Sequence, residues 1–329
     1  MSAPRRGRRW GALVATCALA ACRTASAPAV PVAVGADGGV VVATPSAPVE
    51  LARGTLDSGG RSRSYAYWAP NGDGPFPIVV ALHGRFGDGE GEERLSRFSR
   101  VASRERFIVV FPDGLWRSWA DMRGDSPASK AGVDDVAFLS ALVADFVAKR
   151  HADPARVYFA GMSNGGFMTA TVACALSERV AAIAMVAATM PANVDKKCAP
   201  ARAVPAMLVL GDHDTLIPYA GGPVAGRNTP DERVLSGPDS ARFWTAQNGC
   251  AEEARAMLPD ADLVDGTRVR VARWSGCKDG ADVALYTVLG GGHTWPGGEA
   301  YLADSIVGRT SRDFDASEAI WTFFSAHHR

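Results

Sequence analysis

Arg156-Val157-Tyr158-Phe159-Ala160-Gly161-Met162-Ser163-Asn164-Gly165-Gly166 is the stretch that decides the fold of this chain. Its first five residues are β-prone, which predicts a short buried strand. Gly166 through Leu176 are small and apolar and suit a helix packed against a sheet. Between them, Gly161-x-Ser163-x-Gly165 reads as a serine set in a sharp strand-to-helix turn. A serine hydroxyl is a poor nucleophile until it stands clear of the backbone beside a base, and flanking glycines permit the strained turn that exposes it. The backbone N–H of Asn164, at the N-terminus of the new helix, is then expected to point at a developing oxyanion. The plainer alternative is a glycine- and serine-rich turn without chemistry; the strand before it and the helix after it favour the nucleophile.

Outward from this turn, apolar runs alternate with amphipathic segments from Leu51 onward. Strands are predicted at Arg63–Trp68, with polar residues outward and aromatic residues inward, and at Pro77–Leu82 and Phe107–Phe111, both continuous apolar runs. Further strands are predicted at Ala182–Val186, Ala206–Leu210, Val269–Trp274 and Val283–Leu289. Helices are expected at Glu92–Arg104, Asp134–Arg150, about Asp239–Gln247 and Ala316–Ala326. In Asp134–Arg150 one apolar stripe carries Val136, Leu139, Leu142, Val143, Phe146 and Val147, with acids at its start and bases at its end. Strands alternating with helices argue for an α/β fold in a single domain, with a mostly parallel central sheet covered by helices on both faces.

The start of the chain reads differently. Residues 1–21 hold four arginines and no acid, followed by the apolar run Gly11–Ala21, which is too short to span a bilayer. The run ends in Leu19-Ala20-Ala21-Cys22, which resembles a bacterial lipobox, so Cys22 is expected to be lipidated and to become the new N-terminus. An ordinary small-residue cleavage site that happens to precede a cysteine is the alternative. Residues 22–50 are rich in Ala, Pro and Val and read as a flexible tether, leaving 51–329 as the catalytic domain. The expected location is outside the cytoplasm, either lipid-anchored to a bacterial cell envelope or extracellular. Loss of the signal segment leaves 31 basic against 35 acidic residues, and no basic run interleaved with aromatics follows it, so nucleic-acid binding is not expected. Four domain cysteines remain. They are expected to pair by sequence proximity, Cys174 with Cys198 and Cys250 with Cys277; without a C-x-x-C pair a zinc site is disfavoured.

In a parallel sheet, functional groups collect at the carboxyl ends of strands. Ser163, then Gly211-Asp212-His213-Asp214, then Gly290-Gly291-Gly292-His293 each follow a predicted strand. The order serine, acid, histidine is that of a hydrolase triad in which His293 acts as base and a carboxylate fixes its tautomer. Asp214 lies deeper in its loop than Asp212 and is expected to reach the histidine; Asp212 is expected to cap the loop.

Together these motifs resemble the secreted esterase family of polyhydroxybutyrate depolymerases and feruloyl esterases, within the α/β-hydrolases. The matching stretches are Leu82-His83-Gly84, Phe111-Pro112-Asp113-Gly114 with Ser118-Trp119, and Val133-Asp134-Asp135-Val136. Gly161–Gly166, Asp214 with Ile217-Pro218-Tyr219 and Gly221-Gly222, and His293-Thr294-Trp295-Pro296-Gly297 complete the set, which covers roughly residues 60–300 in order. The resemblance implies that Ser163, Asp214 and His293 form the triad and supports the same disulfide pairs. It makes the backbone N–H of Arg85 a second oxyanion donor and sets Trp119 and Trp295 beside the pocket, although two tryptophans that merely pack the loops fit as well. Arg85-Phe86 stands where many members have a cysteine or a small residue.

These readings converge on an exported serine carboxylic-ester hydrolase needing no cofactor and no metal. Its expected partner is a small or oligomeric ester, from plant cell wall or polyester, with membrane contact only through the lipid anchor. A serine peptidase on the same fold and a non-catalytic surface lipoprotein are the rivals.

Overall fold

The computed structural model describes residues 49–224 and 233–329, together with the backbone of 32–34 and 40–42. Residues 1–21, expected to be a signal segment, and Cys22, expected to be lipidated, lie outside the described residues. Within residues 22–50, expected to be a flexible tether, β1 (Val32–Val34) pairs antiparallel with β2 (Val40–Val42). Val32-Ala33-Val34 and Val40-Val41-Val42 are rich in a β-branched residue type that favours extended backbone. These strands belong to a unit ending at Ala47; the remainder, Pro48–Arg329, forms the second compact unit.

Ten strands of that second unit form one sheet: β3 (Ala52–Ser58), β4 (Arg61–Trp68), β5 (Phe76–Leu82), β6 (Ile108–Pro112), β7 (Ala152–Met162), β8 (Ala182–Val186), β9 (Ala206–Gly211), β12 (Glu252–Met257), β13 (Arg268–Ser275) and β14 (Val283–Leu289). A separate two-residue ribbon pairs β10 (Gly222–Pro223) with β11 (Arg233–Val234). The order across the sheet is β12-β13-β14-β9-β8-β7-β5-β6-β4-β3. Its six central strands, β14 to β6, run parallel, and antiparallel pairs close both edges. The helices are α1 (Gly89–Ser96), α2 (Phe98–Glu105), α3 (Pro127–Lys130), α4 (Asp135–Arg150), α5 (Asn164–Ala175), α6 (Gly237–Asn248), α7 (Asp304–Val307) and α8 (Ala316–Ser325). This is the α/β-hydrolase architecture.

The period-2 pleat divides each central strand between two cores. Ile78, Val80 and Leu82 of β5 pack on one face with α4, α5 and α6, while Val79 and Ala81 pack on the other with α2 and α8. Burial on both faces explains why these strands read as continuous apolar runs. From β5 the chain adds β6 on one side, then returns to place β7 on the other. The carboxyl ends of β5 and β7 therefore flank the switch point of the sheet, where ligands bind in open α/β folds.

Three local departures from the sequence reading have physical causes. The helix expected over 92–104 is two helices, because Arg97 adopts a left-handed conformation (φ 53°) that ends α1 and begins α2. Strand β12 was not foreseen: its side chains are all exposed, so no apolar alternation marks it, and backbone pairing with β13 creates it. Arg63, expected to point outward, is buried. Its guanidinium lies 2.7 Å from Asp135 Oδ1 and 3.9 Å above the Phe138 ring. The disulfides join Cys174 to Cys198 and Cys250 to Cys277.

Candidate active site

Ser163 sits between β7 and α5 with φ 55° and ψ −119°, a conformation that a non-glycine residue adopts only under constraint from its surroundings. The constraint is visible at the neighbouring glycines. A Cβ on Gly161 would stand 2.5 Å from the Gly165 carbonyl carbon, and one on Gly165 would strike the Leu82 carbonyl. The turn is tight enough that only hydrogen atoms fit at these two positions, and the serine is thrust out of it. Its own N–H is held by the Val186 carbonyl at 2.9 Å.

His293 lies in the loop after β14, with its N–H bonded to the Val307 carbonyl and its carbonyl accepting from Tyr301 Oη at 2.8 Å. Its Nδ1 is 2.7 Å from Asp214 Oδ2. Both side chains are only 3% exposed. The second oxygen of Asp214 accepts the backbone N–H groups of Leu216 and Ile217, each at 2.8 Å. The carboxylate thus holds the imidazole with one oxygen while its own orientation is fixed through the other. Because Nδ1 carries the proton toward Asp214, Nε2 is the nitrogen left to accept one. Asp212 is used differently: its Oδ1 accepts from Gly290 N–H and lies 2.6 Å from His213 Nδ1, tying together the loops after β9 and β14.

The loop after β5 lies beside the nucleophile. A Cβ on Gly84 would be 3.4 Å from the Ser163 Cβ. His83 locks this loop: its Nε2 accepts the Gly114 N–H at 2.9 Å, which fixes the proton on Nδ1, where it bonds the Gly84 carbonyl. Burial lowers the basicity of His83 and keeps it in this neutral form. Arg85 follows, and Phe86 stands 75% exposed at the cavity mouth.

Trp119 and Trp295 do not wall the pocket as the resemblance implied; both are 0% exposed and act as braces. The Trp119 indole N–H bonds the His83 carbonyl at 3.0 Å. Its backbone N–H and C=O engage the Asn164 side chain at 2.8 and 3.1 Å. One tryptophan therefore couples the loop after β5 to the residue that follows the nucleophile. Trp295 does the same for the histidine loop, bonding Ser317 Oγ at 3.1 Å and packing edge-on against Phe98. The Asp134-Asp135 motif is also structural. Asp134 caps α4, while Asp135 accepts from Arg63 and from the Ala120 N–H at 2.7 Å, next to Trp119.

Ser163, Asn164, Arg85 and His293 line one cavity of about 480 Å³. Its other walls include Leu95, Met162, Leu216, Ile217, Val224 and Leu302. Two charged features were missed from the sequence. Arg123, bonded to Asp121 and facing Asp125, joins Arg85 in lining the cavity. Glu92 also lines it, at 2% exposure, and burial pushes its carboxyl up to about 8 with help from Glu93. Its spacing held a signal: Glu92 falls three residues before Leu95 and six before Phe98, an acid on an apolar stripe.

Residues 63–210 match the family model described as esterase PHB depolymerase. A putative esterase NocK from Nocardia uniformis subsp. tsuyamanensis is 28% identical over 280 residues, covering 80% of this chain and 79% of that protein. Feruloyl esterase B from Piromyces equi is 28% identical over 224 residues, which span 68% of this chain but 40% of the relative. Among solved structures, an acetyl xylan esterase from Aspergillus awamori superposes with a TM-score of 0.53 at 18% identity, over 74% of this chain and 94% of its own. In sequence and in fold, the chain is similar to the esterase family of polyhydroxybutyrate depolymerases and feruloyl esterases, on the α/β-hydrolase fold.

Proposed function

We propose that this chain is a serine carboxylic-ester hydrolase that works through an acyl-enzyme, with Ser163 as nucleophile, His293 as base and Asp214 as the carboxylate that orients it. The observation that carries the reading is the pair Ser163 and His293 on one cavity, the histidine held at Nδ1 by a carboxylate that is itself anchored. Ser163 Oγ attacks the ester carbonyl as His293 Nε2 takes its proton, and the tetrahedral oxyanion is met by the N–H groups of Asn164 and Arg85. Collapse expels the alcohol, which takes the proton from His293. Water then gives its proton to His293 and attacks the acyl-enzyme; the acid leaves and Ser163 regains its hydrogen.

The substrate class is proposed from two relatives, one named a putative esterase and one a feruloyl esterase. A mostly apolar cavity of this size fits an aryl or hydroxyalkanoyl acyl group better than a bulk polymer chain. Export and lipid anchoring through Cys22 are proposed from the basic start, the short apolar run and Leu19-Ala20-Ala21-Cys22, and two disulfides suit an oxidising compartment.

Ser163→Ala is expected to lower turnover of p-nitrophenyl acetate by ~10⁴ to 10⁶, without loss of fold. A variant keeping a tenth of the parent kcat excludes Ser163 as nucleophile. Parallel assays on peptide anilides separate ester from amide hydrolysis.

A further inference from the structure

Glu92 stands apart from the other acidic groups around the cavity. Asp214 is engaged at both oxygens, and Asp121 and Asp125 face Arg123. Glu92 projects from the first turns of α1, lines the cavity at 2% exposure, and its Oε1 has no hydrogen-bond partner among the described residues. Its backbone is fixed in α1: the N–H bonds the Asp88 carbonyl and the C=O accepts Ser96 Oγ at 2.7 Å, so the residue is held in the cavity wall.

A buried polar group without a partner destabilises a fold by roughly 1–3 kcal/mol, and such groups concentrate where function requires them. We propose that Glu92 is the polar anchor of the cavity and recognises a hydroxyl group on the substrate ester. This rests on the reading of Ser163 and His293 as the reacting pair.

The chemistry selects a hydroxyl over other groups. Burial favours the protonated carboxyl at neutral pH, so Glu92 offers one donor and acceptor oxygens in the same plane. A hydroxyl is likewise donor and acceptor at once. A cationic group calls for a carboxylate, and an anionic group meets no net positive charge, since Arg85 and Arg123 are set against Asp125 and Asp121. A site built to bond a hydroxyl also rejects the analogue lacking it, because the carboxyl is then left unpaired.

The hydroxyl can belong to the acyl part or to the alcohol part, and two ligand pairs separate these sources. Methyl 4-hydroxycinnamate is compared with methyl cinnamate, and 2-hydroxyethyl acetate with propyl acetate. Affinities are measured by ligand-observed NMR titration on Ser163→Ala protein, so that binding is read without turnover. The expected result is about tenfold tighter binding of the hydroxylated member of one pair, which names the source. In Ser163→Ala/Glu92→Leu the preference should fall to within twofold; Glu92→Gln, which still donates and accepts, should keep part of it. Glu92→Met serves as a second apolar variant, and thermal melts verify that each protein is folded. Equal binding within both pairs, or a preference that survives in a folded Leu or Met variant, overturns the assignment. If the hydroxyl preference depends on Glu92 while the parent protein hydrolyses no ester, the anchor stands and the proposed reaction fails.

Discussion

Asp214 and Glu92 are both carboxyl groups almost wholly withdrawn from water, and both serve the same cavity, yet their surroundings are opposite. Asp214 stands behind the histidine with its Oδ2 on His293 and its Oδ1 on two backbone N–H groups. Glu92, in the α1 wall, has no partner for Oε1 among the described residues and is pushed up to about 8. A carboxyl group whose oxygens are both taken up by donors is committed to holding one geometry. A carboxyl denied them keeps its proton and its capacity to bond whatever enters. Asp135 is a third case, 1% exposed and bonded to Arg63 and Ala120, and it braces the loop of Trp119 well away from solvent. Partner supply, rather than burial, separates the orienting, structural and ligand-facing roles.

The sharpest test of this contrast is at Asp214. Asp214→Asn is expected to lower kcat by ~10⁴, since an amide cannot stabilise the imidazolium or enforce its tautomer. Asp212→Asn should cost less than tenfold, because that side chain ties loops rather than touching His293. Steady-state kinetics on both folded variants decide it, and a larger loss at Asp212 reverses the assignment.

Next in size is the Arg63–Asp135 pair. Arg63→Met should destabilise the fold by about 3–5 kcal/mol in urea denaturation, because Asp135 then remains buried with its charge uncompensated. Arg63→Met/Asp135→Leu should recover much of that loss. A single variant as stable as the parent would show that partner supply matters less here than packing.

The smallest effect is expected at Glu92, and its sign is diagnostic. A carboxyl raised in the folded state from 4.5 to about 8 contributes stability that is fully present below pH 4.5 and is lost as pH rises through 8. Glutamine does not titrate. The Tm of Glu92→Gln relative to the parent should therefore climb by a few degrees between pH 4.5 and 8 and level off above. A difference constant across that range removes the distinction between Glu92 and Asp214.

The sequence by itself carried the central strands β5 to β9 and β14, because burial on both faces writes a continuous apolar run that needs no partner to be recognised. It also carried the serine turn, since the glycines that let backbones touch at Gly161 and Gly165 are written in the chain. The sequence order, together with the depth of each aspartate in its loop, singled out Ser163, Asp214 and His293 as candidates. The tertiary structure alone decided what was relational. Strand β12 exists only because β13 offers it backbone partners, and the break at Arg97 is a left-handed residue that no local propensity marks. Trp119 and Trp295 are the same residue type whether they line a pocket or brace a loop; only their indole partners, the His83 carbonyl and Ser317 Oγ, tell which. The same holds for the acids. Aspartate or glutamate in a sequence is a charge in waiting, and what it becomes depends on the donors that distant segments bring to it.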